Sequence, residues 1–200
     1  MSRLFKIVYA AGVIGEIILR VPYERQRRQI PKIDQRTMSG EQALFAGLSA
    51  AMLGLPLIYS LTSWLNFANY RWSSRAKDGA GGLGCAILGA AVWLFWRSHR
   101  DLGANWSPTL EVVAHHRLVT AGVYRRIRHP MYAAHFLWGI AQALLLPNWI
   151  AGWASLAAFL PLYRRRVPRE EQMMVDYFGD DYRAYCARTG RILPRLRQRG

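Results

Sequence analysis

The sequence alternates between long apolar runs and short stretches that hold nearly all of its basic residues, and this segregation limits the possible folds more than any other feature. Of the 200 residues 52% are hydrophobic, yet the formal charge is +15. Spread over a soluble domain, such a charge points to nucleic acid or another acidic partner. Confined to the junctions of apolar runs, it is the pattern of a chain threaded through a bilayer, and nucleic-acid binding becomes the poorer reading. The length suits one domain, covering residues 1–200.

A helix needs roughly 20 largely apolar residues to cross the hydrocarbon core. Runs at 4–20, 43–65 and 79–96 qualify; the first carries Lys6 and Glu16, and the second is expected to kink at Pro56. The run 132–163 is too long for one crossing, and Pro147-Asn148 interrupts it. It is therefore expected to form a tight helical hairpin with arms at 132–146 and 149–163. Arg3 and Lys6 ahead of an apolar stretch resemble a signal peptide, but no small-residue cleavage site follows, so the first run is expected to be a retained span. The expected fold is all-α: an integral membrane bundle of about five helices with a cytoplasmic C-terminal helix and no Rossmann domain.

Five crossings put the termini on opposite sides. With the C-terminus in the cytoplasm, segments 20–41, 97–131 and 164–200 lie inside and hold 6, 6 and 10 of the 27 Lys and Arg, leaving 5 for the outside. That split agrees with the positive-inside rule and with attraction to anionic headgroups. Cys85 and Cys186 stand far apart without metal-ligand spacing, so neither a disulfide nor a zinc framework is expected.

Several motifs carry candidate chemistry. Gly79-Ala80-Gly81-Gly82-Leu83-Gly84 fits the dinucleotide fingerprint, but that mechanism needs a preceding strand in a parallel sheet. Here a polar loop precedes a span, and small residues that let helices approach are the better explanation. The second half gathers polar and aromatic residues at one membrane edge: Asn105-Trp106-Ser107, His115 to Tyr124, Arg128 to Tyr132, Arg164 to Glu171, and Tyr177 to Tyr182. The histidines do not have HxxxH spacing, which argues against a metal. Taken alone, Arg128-His129-Pro130 is equally an interfacial anchor, Arg164 to Arg166 a stop-transfer cluster, and Glu170-Glu171 an ordinary helix start. Pro168 suits the first turn of a new cytoplasmic helix.

In series, however, these residues resemble the isoprenylcysteine carboxyl methyltransferase family and its prokaryotic relatives. The resemblance rests on N-W-S at 105–107, H-x-L-V-x-x-G-x-Y at 116–124, R-H-P-M-Y at 128–132 and R-V-P-x-E-E at 166–171. It closes with F-G-D-x-Y-x-x-Y at 178–185, T-G-R at 189–191 and Pro194. It covers residues 105–200, the half expected to bind cofactor, while the first hundred residues match mainly in span pattern. The family is membrane-embedded and uses S-adenosyl-L-methionine, releasing S-adenosyl-L-homocysteine. The resemblance implies that His116, Arg117, Leu118, Val119, Tyr124, His129, Pro130, Met131, Tyr132 and Glu170 bind the cofactor. It also implies that Arg166 serves catalysis beside the substrate carboxylate, and that Gln142 contacts substrate.

A carboxylate acceptor is already ionised at neutral pH, so the site must chiefly position two reactants and exclude water. The expected partners are a lipophilic substrate entering from the bilayer and membrane lipids. Competing readings are a phospholipid N-methyltransferase, whose amine needs a base, an NADPH-dependent sterol reductase, and a membrane scaffold or transporter. Glu16, an acid inside a span, is the feature that favours transport.

Overall fold

The computed structural model describes residues 3–36, 39–107, 109, 111–113 and 117–195, and the apolar runs in it are helices. Helix α1 spans Arg3–Arg28. Helices α2 (Glu41–Ser49) and α3 (Leu55–Leu61) are joined end to end by one π turn, Ala50–Gly54. Helix α4 covers Ser74–Leu102, α5 Pro130–Leu145, α6 Ala154–Phe178 and α7 Asp180–Arg188. The fold is mostly helical, as expected. One short antiparallel ribbon departs from that expectation: β1 (Lys32–Gln35) pairs with β2 (Glu111–Val113), tying the chain after α1 to the chain after α4.

Local chemistry explains the boundaries. Ser73 is extended and its hydroxyl accepts from the Ala76 N–H, capping α4 ahead of its expected start. The π turn directly precedes Pro56, which has no N–H to continue the α ladder, so the expected irregularity takes this form. α1 runs two turns past the expected end at Arg20.

The hairpin is present, but its second arm differs from expectation. α6 starts at Ala154 because Asn148 organises a wider tip. The Asn148 side chain accepts from Ile150 N (3.0 Å) and Ala151 N (2.9 Å), and donates to Leu65 O (2.6 Å) and Asn69 Oδ1 (3.1 Å). α6 then continues through Arg164–Arg166 and Pro168 to Phe178, so Pro168 does not open a separate helix. The C-terminal helix is α7, set off by Gly179 at φ +55°.

The core lies between α1, α4 and α5, around Tyr9, Leu88, Ala91, Trp138, Ala141 and Leu145. Small residues set its spacing, as read from the glycine run. A Cβ on Gly81 would collide with the Phe5 ring and one on Gly84 would press Leu145, whereas Gly79 and Gly82 face open space. A smaller cluster of Leu48, Phe159 and Leu162 joins α2 to α6.

Among the described residues two helical segments, Glu41–Leu61 and Ser74–Asn105, are long and apolar enough to cross a membrane. The outer surface is apolar too: Ile7, Ile14 and Ile18 of α1, Leu57 and Leu61 of α3, Leu83 and Trp93 of α4, and Trp149 at the hairpin tip are exposed. Glu16, the acid inside the first apolar run, lies 3.6 Å from His135 Nε2 on α5 and so faces a neighbouring helix.

Candidate active site

α4, α5 and α6 converge with the loops after α4 and before α5 around a cavity of about 190 Å³. Ten of the sequence-derived site residues lie on its wall: Arg117, Leu118, Val119, Tyr124, His129, Pro130, Met131, Tyr132, Arg166 and Glu170. His116 lies outside the described residues. Gln142 is not on the wall. It is 0% exposed within the bundle, donating to Ala51 O (3.0 Å) and Ala151 O (2.7 Å) and accepting from Tyr9 Oη (2.7 Å). Its amide satisfies carbonyls at the π turn and the hairpin tip, two places where the regular α-helical ladder is interrupted.

The acidic end is built on α6. Continuity of that helix through Pro168 puts Arg166 and Glu170 one turn apart on one face, with Arg166 Nε 3.9 Å from Glu170 Oε2. The pairing follows from i,i+4 spacing, which a helix break at Pro168 would have destroyed. Arg166 is 6% exposed, and its Nη1 donates to Glu41 Oε1 at 2.8 Å. Tyr132 Oη donates to Glu170 Oε2 at 2.8 Å. Two acceptor-rich carboxylates thus surround one guanidinium, and Arg166 Nε is left buried with no hydrogen-bond partner among the described residues. Glu170 Oε1 lies 3.8 Å from His129 Nδ1.

Glu171, next along the helix, holds the loop that leads into α5. It accepts from Arg128 Nε (2.7 Å), from His129 Nε2 at 3.2 Å, and from Arg191 Nε (3.1 Å) and Nη2 (2.6 Å). Burial pushes its carboxyl up, but the hydrogen bonds from His129, Arg191 and Arg128 outweigh that and hold it down at about 2. The same residues bring in the C-terminal segment, since Arg128 Nη1 donates to Thr189 O (2.7 Å) and His129 N to Arg191 O (2.8 Å). The T-G-R motif therefore acts as a strap under the R-H-P loop.

Tyr124 stands on a turn that starts at Gly122, whose φ is +60° and whose hydrogen faces the Asp101 carboxylate; a Cβ there would run into it. Asp101 Oδ2 accepts from Val123 N at 2.9 Å, and Tyr185 Oη donates to Tyr124 O at 2.7 Å. Burial pushes the Tyr124 phenol well above its ordinary range, and that of Tyr185 to about 12, so both are neutral donors with aromatic faces. On the other side, Asn105 Oδ1 accepts from Arg117 N at 2.8 Å and fixes the start of the 117–119 stretch.

The cavity also uses residues from the first half, so it is wider than the 105–200 region carrying the motifs. Arg20, Phe45, Leu48, Phe95 and His99 line it, and Glu41 supports Arg166 from behind. Glu41 and Arg166 are 125 residues apart in sequence. The one local signal for such contacts is opposite charge in separate apolar or edge segments, which the Glu16–His135 pair also shows. Chemically, the site offers a buried N–H donor without a hydrogen bond among the described residues, a carboxylate oxygen that Tyr132 does not engage, neutral tyrosines, and an apolar wall of Phe45, Leu48, Phe159 and Leu162.

A family model described as the isoprenylcysteine carboxyl methyltransferase (ICMT) family matches residues 82–176. The chain is 35% identical over 146 residues to the protein-S-isoprenylcysteine O-methyltransferase of Homo sapiens, a match covering 68% of this chain and 50% of that protein. It is 34% identical over 80 residues to protein-S-isoprenylcysteine O-methyltransferase B of Arabidopsis thaliana, covering 40% of this chain and 41% of that one. The solved structure of the eukaryotic intramembrane Ras methyltransferase ICMT without a monobody superposes with a TM-score of 0.51 at 22% identity, over 78% of this chain and 51% of that one, which shows a shared fold. The chain spans about half the length or less of the curated relatives it matches. The matched stretch contains α5, the R-H-P loop and the Arg166–Glu171 turn, the elements that build the cavity, and the chain belongs to the isoprenylcysteine carboxyl methyltransferase family.

Proposed function

We propose that this chain is a membrane-embedded, S-adenosyl-L-methionine-dependent methyltransferase acting on the carboxylate of an isoprenylated cysteine or a similar lipophilic acid. The observation that carries the reading is Arg166: a buried guanidinium with Nη1 committed to Glu41 and Nε without a hydrogen bond among the described residues, on the wall of a cavity that also has an apolar side. An ionised carboxylate is the natural partner for such an N–H, and the apolar side suits its hydrocarbon tail.

The cofactor supplies a methyl group on a sulfonium, open to in-line attack by a nucleophile. The acceptor carboxylate needs no general base, so the work of the protein is placement. Arg166 Nε orients the acceptor. Glu170 Oε1, the oxygen that Tyr132 does not engage, suits an ammonium or ribose hydroxyl of the cofactor. The neutral rings of Tyr124 and Tyr132 favour a nearby positive charge. His116, Arg117, Leu118, Val119, His129, Pro130 and Met131 complete the cofactor side in this reading.

The same proposal places five spans in the bilayer, with the basic junctions and the cavity mouth on the cytoplasmic side and the N-terminus opposite. The exposed apolar side chains of α1, α3 and α4 support it, since such a belt in water is an aggregation liability. The lipophilic acceptor then enters laterally from the bilayer, and lipids are its standing partners. The test is radiolabelled methyl transfer by the purified chain to small prenylcysteine analogues and to phospholipids side by side. Label in the carboxyl methyl ester alone is expected. Label in phosphatidylethanolamine alone refutes the acceptor, and Arg166→Ala or Glu170→Ala variants that fold and keep full activity refute the site.

A further inference from the structure

The cavity wall also includes His99, whose Nε2 is buried without a hydrogen-bond partner among the described residues. His99 is 1% exposed and stands near the end of α4. Its Nδ1 lies 2.9 Å from the Phe95 carbonyl oxygen. A carbonyl only accepts, so Nδ1 carries a hydrogen. Among the described residues no carboxylate hydrogen-bonds the ring; the Arg20 guanidinium lies 5.4 Å over Trp106, itself 4.9 Å from His99. A positive charge on this buried ring would be uncompensated, so the imidazole is neutral and Nε2 is an acceptor. With Nδ1 turned back on its own helix, Nε2 is the ring nitrogen left for a donor, and His99 lines the cavity.

A buried acceptor facing a cavity calls for a donor on the occupant. Given the methyl-transfer reading, on which this inference rests, the reactants narrow the choice. A prenyl chain has no donor, and a carboxylate would meet the lone pair with its own. The donors are on the cofactor: its ammonium, its ribose hydroxyls and the exocyclic amine of its adenine. The first two suit Glu170, on α6. The His99 wall is aromatic, with Phe95 at 4.3 Å and Trp106 at 4.9 Å between ring centroids, and both rings line the cavity. Flat aromatic surfaces around one acceptor match the edge of a heteroaromatic ring bearing an N–H.

We propose that His99 is a specificity-determining residue of the methyl-donor site, its Nε2 accepting a hydrogen bond from the exocyclic amine of the adenine. S-inosylhomocysteine carries a carbonyl at that position, an acceptor facing an acceptor. The experiment is calorimetric titration of the detergent-solubilised full chain with S-adenosylhomocysteine and with S-inosylhomocysteine. The wild type is expected to prefer the adenosyl compound by about tenfold or more. His99→Phe is expected to bring that ratio below about threefold by weakening adenosyl binding, and His99→Gln, which keeps an acceptor, to retain part of it. A wild-type ratio near one overturns the proposal without needing any variant to fold, and leaves the methyltransferase reading standing. A ratio unchanged in His99→Phe also overturns it. Failure of the wild type to bind either compound overturns both.

Discussion

Replacing Gln142 with Leu keeps the side-chain size and removes its polar end from a fully buried position. Two carbonyls, Ala51 O and Ala151 O, lose the donors now 3.0 and 2.7 Å away, while Tyr9 Oη still has Met52 O to donate to at 2.8 Å. A buried carbonyl left without a donor costs about 1–3 kcal/mol. Interhelical hydrogen bonds inside membrane bundles average nearer ~0.6 kcal/mol, because the reference state also finds partners. Between these limits, the two lost bonds predict a loss of about 2–3 kcal/mol. For a chain of this size that lowers the melting temperature by roughly 5–10 °C. The assay is thermal unfolding in detergent, paired with acceptor KM measured well below the melt. KM is expected to stay within about twofold, because the side chain is off the cavity wall. A variant that melts like the wild type while its acceptor KM rises tenfold would refute this account and return Gln142 to the substrate.

Arg166→Lys replaces a fork of donors with one ammonium, which cannot engage Glu41 and keep a fixed second donor toward the cavity; kcat/KM for the acid acceptor should fall about 100-fold or more, with S-adenosylhomocysteine affinity changed far less. Gly122→Ala puts a Cβ against the Asp101 carboxylate at positive φ, and should cost about 2 kcal/mol and weaken cofactor binding, read by unfolding and calorimetry. The Glu171 carboxyl is held at about 2, below its unfolded value of 4.5, so its contribution is present above pH 4.5 and is lost as pH falls from there through about 2. Glu171→Gln should therefore lower the melting temperature at pH 7 and flatten its acid decline. After discounting for partial exposure the contribution is about 1–2 kcal/mol, and a variant with the wild-type acid profile would refute it.

How much of the molecule was legible depended on the range of the interaction involved. The runs at 43–65 and 79–96 were readable because apolarity is a property of consecutive residues, and they became the two segments long and apolar enough to span a bilayer. Arg117, Leu118, Val119, Tyr124, His129, Pro130, Met131, Tyr132, Arg166 and Glu170 were readable as candidates from their motifs, and they line one cavity. The continuity of α6 was not. Local charge at Arg164–Arg166 and the ring of Pro168 argue for a stop, yet Arg166 stays buried in an unbroken helix because Glu41, far back in the chain, bonds it. Gln142 likewise looked like a contact of the site until the π turn and hairpin tip supplied its carbonyls. By itself the sequence determined the apolar segments, their basic junctions and the candidate residue types, since each is written in neighbouring positions. Only the tertiary structure decided which polar atoms are satisfied and which, like Arg166 Nε and His99 Nε2, are left buried without a hydrogen bond among the described residues, because a hydrogen bond between distant segments exists only once packing has brought them together.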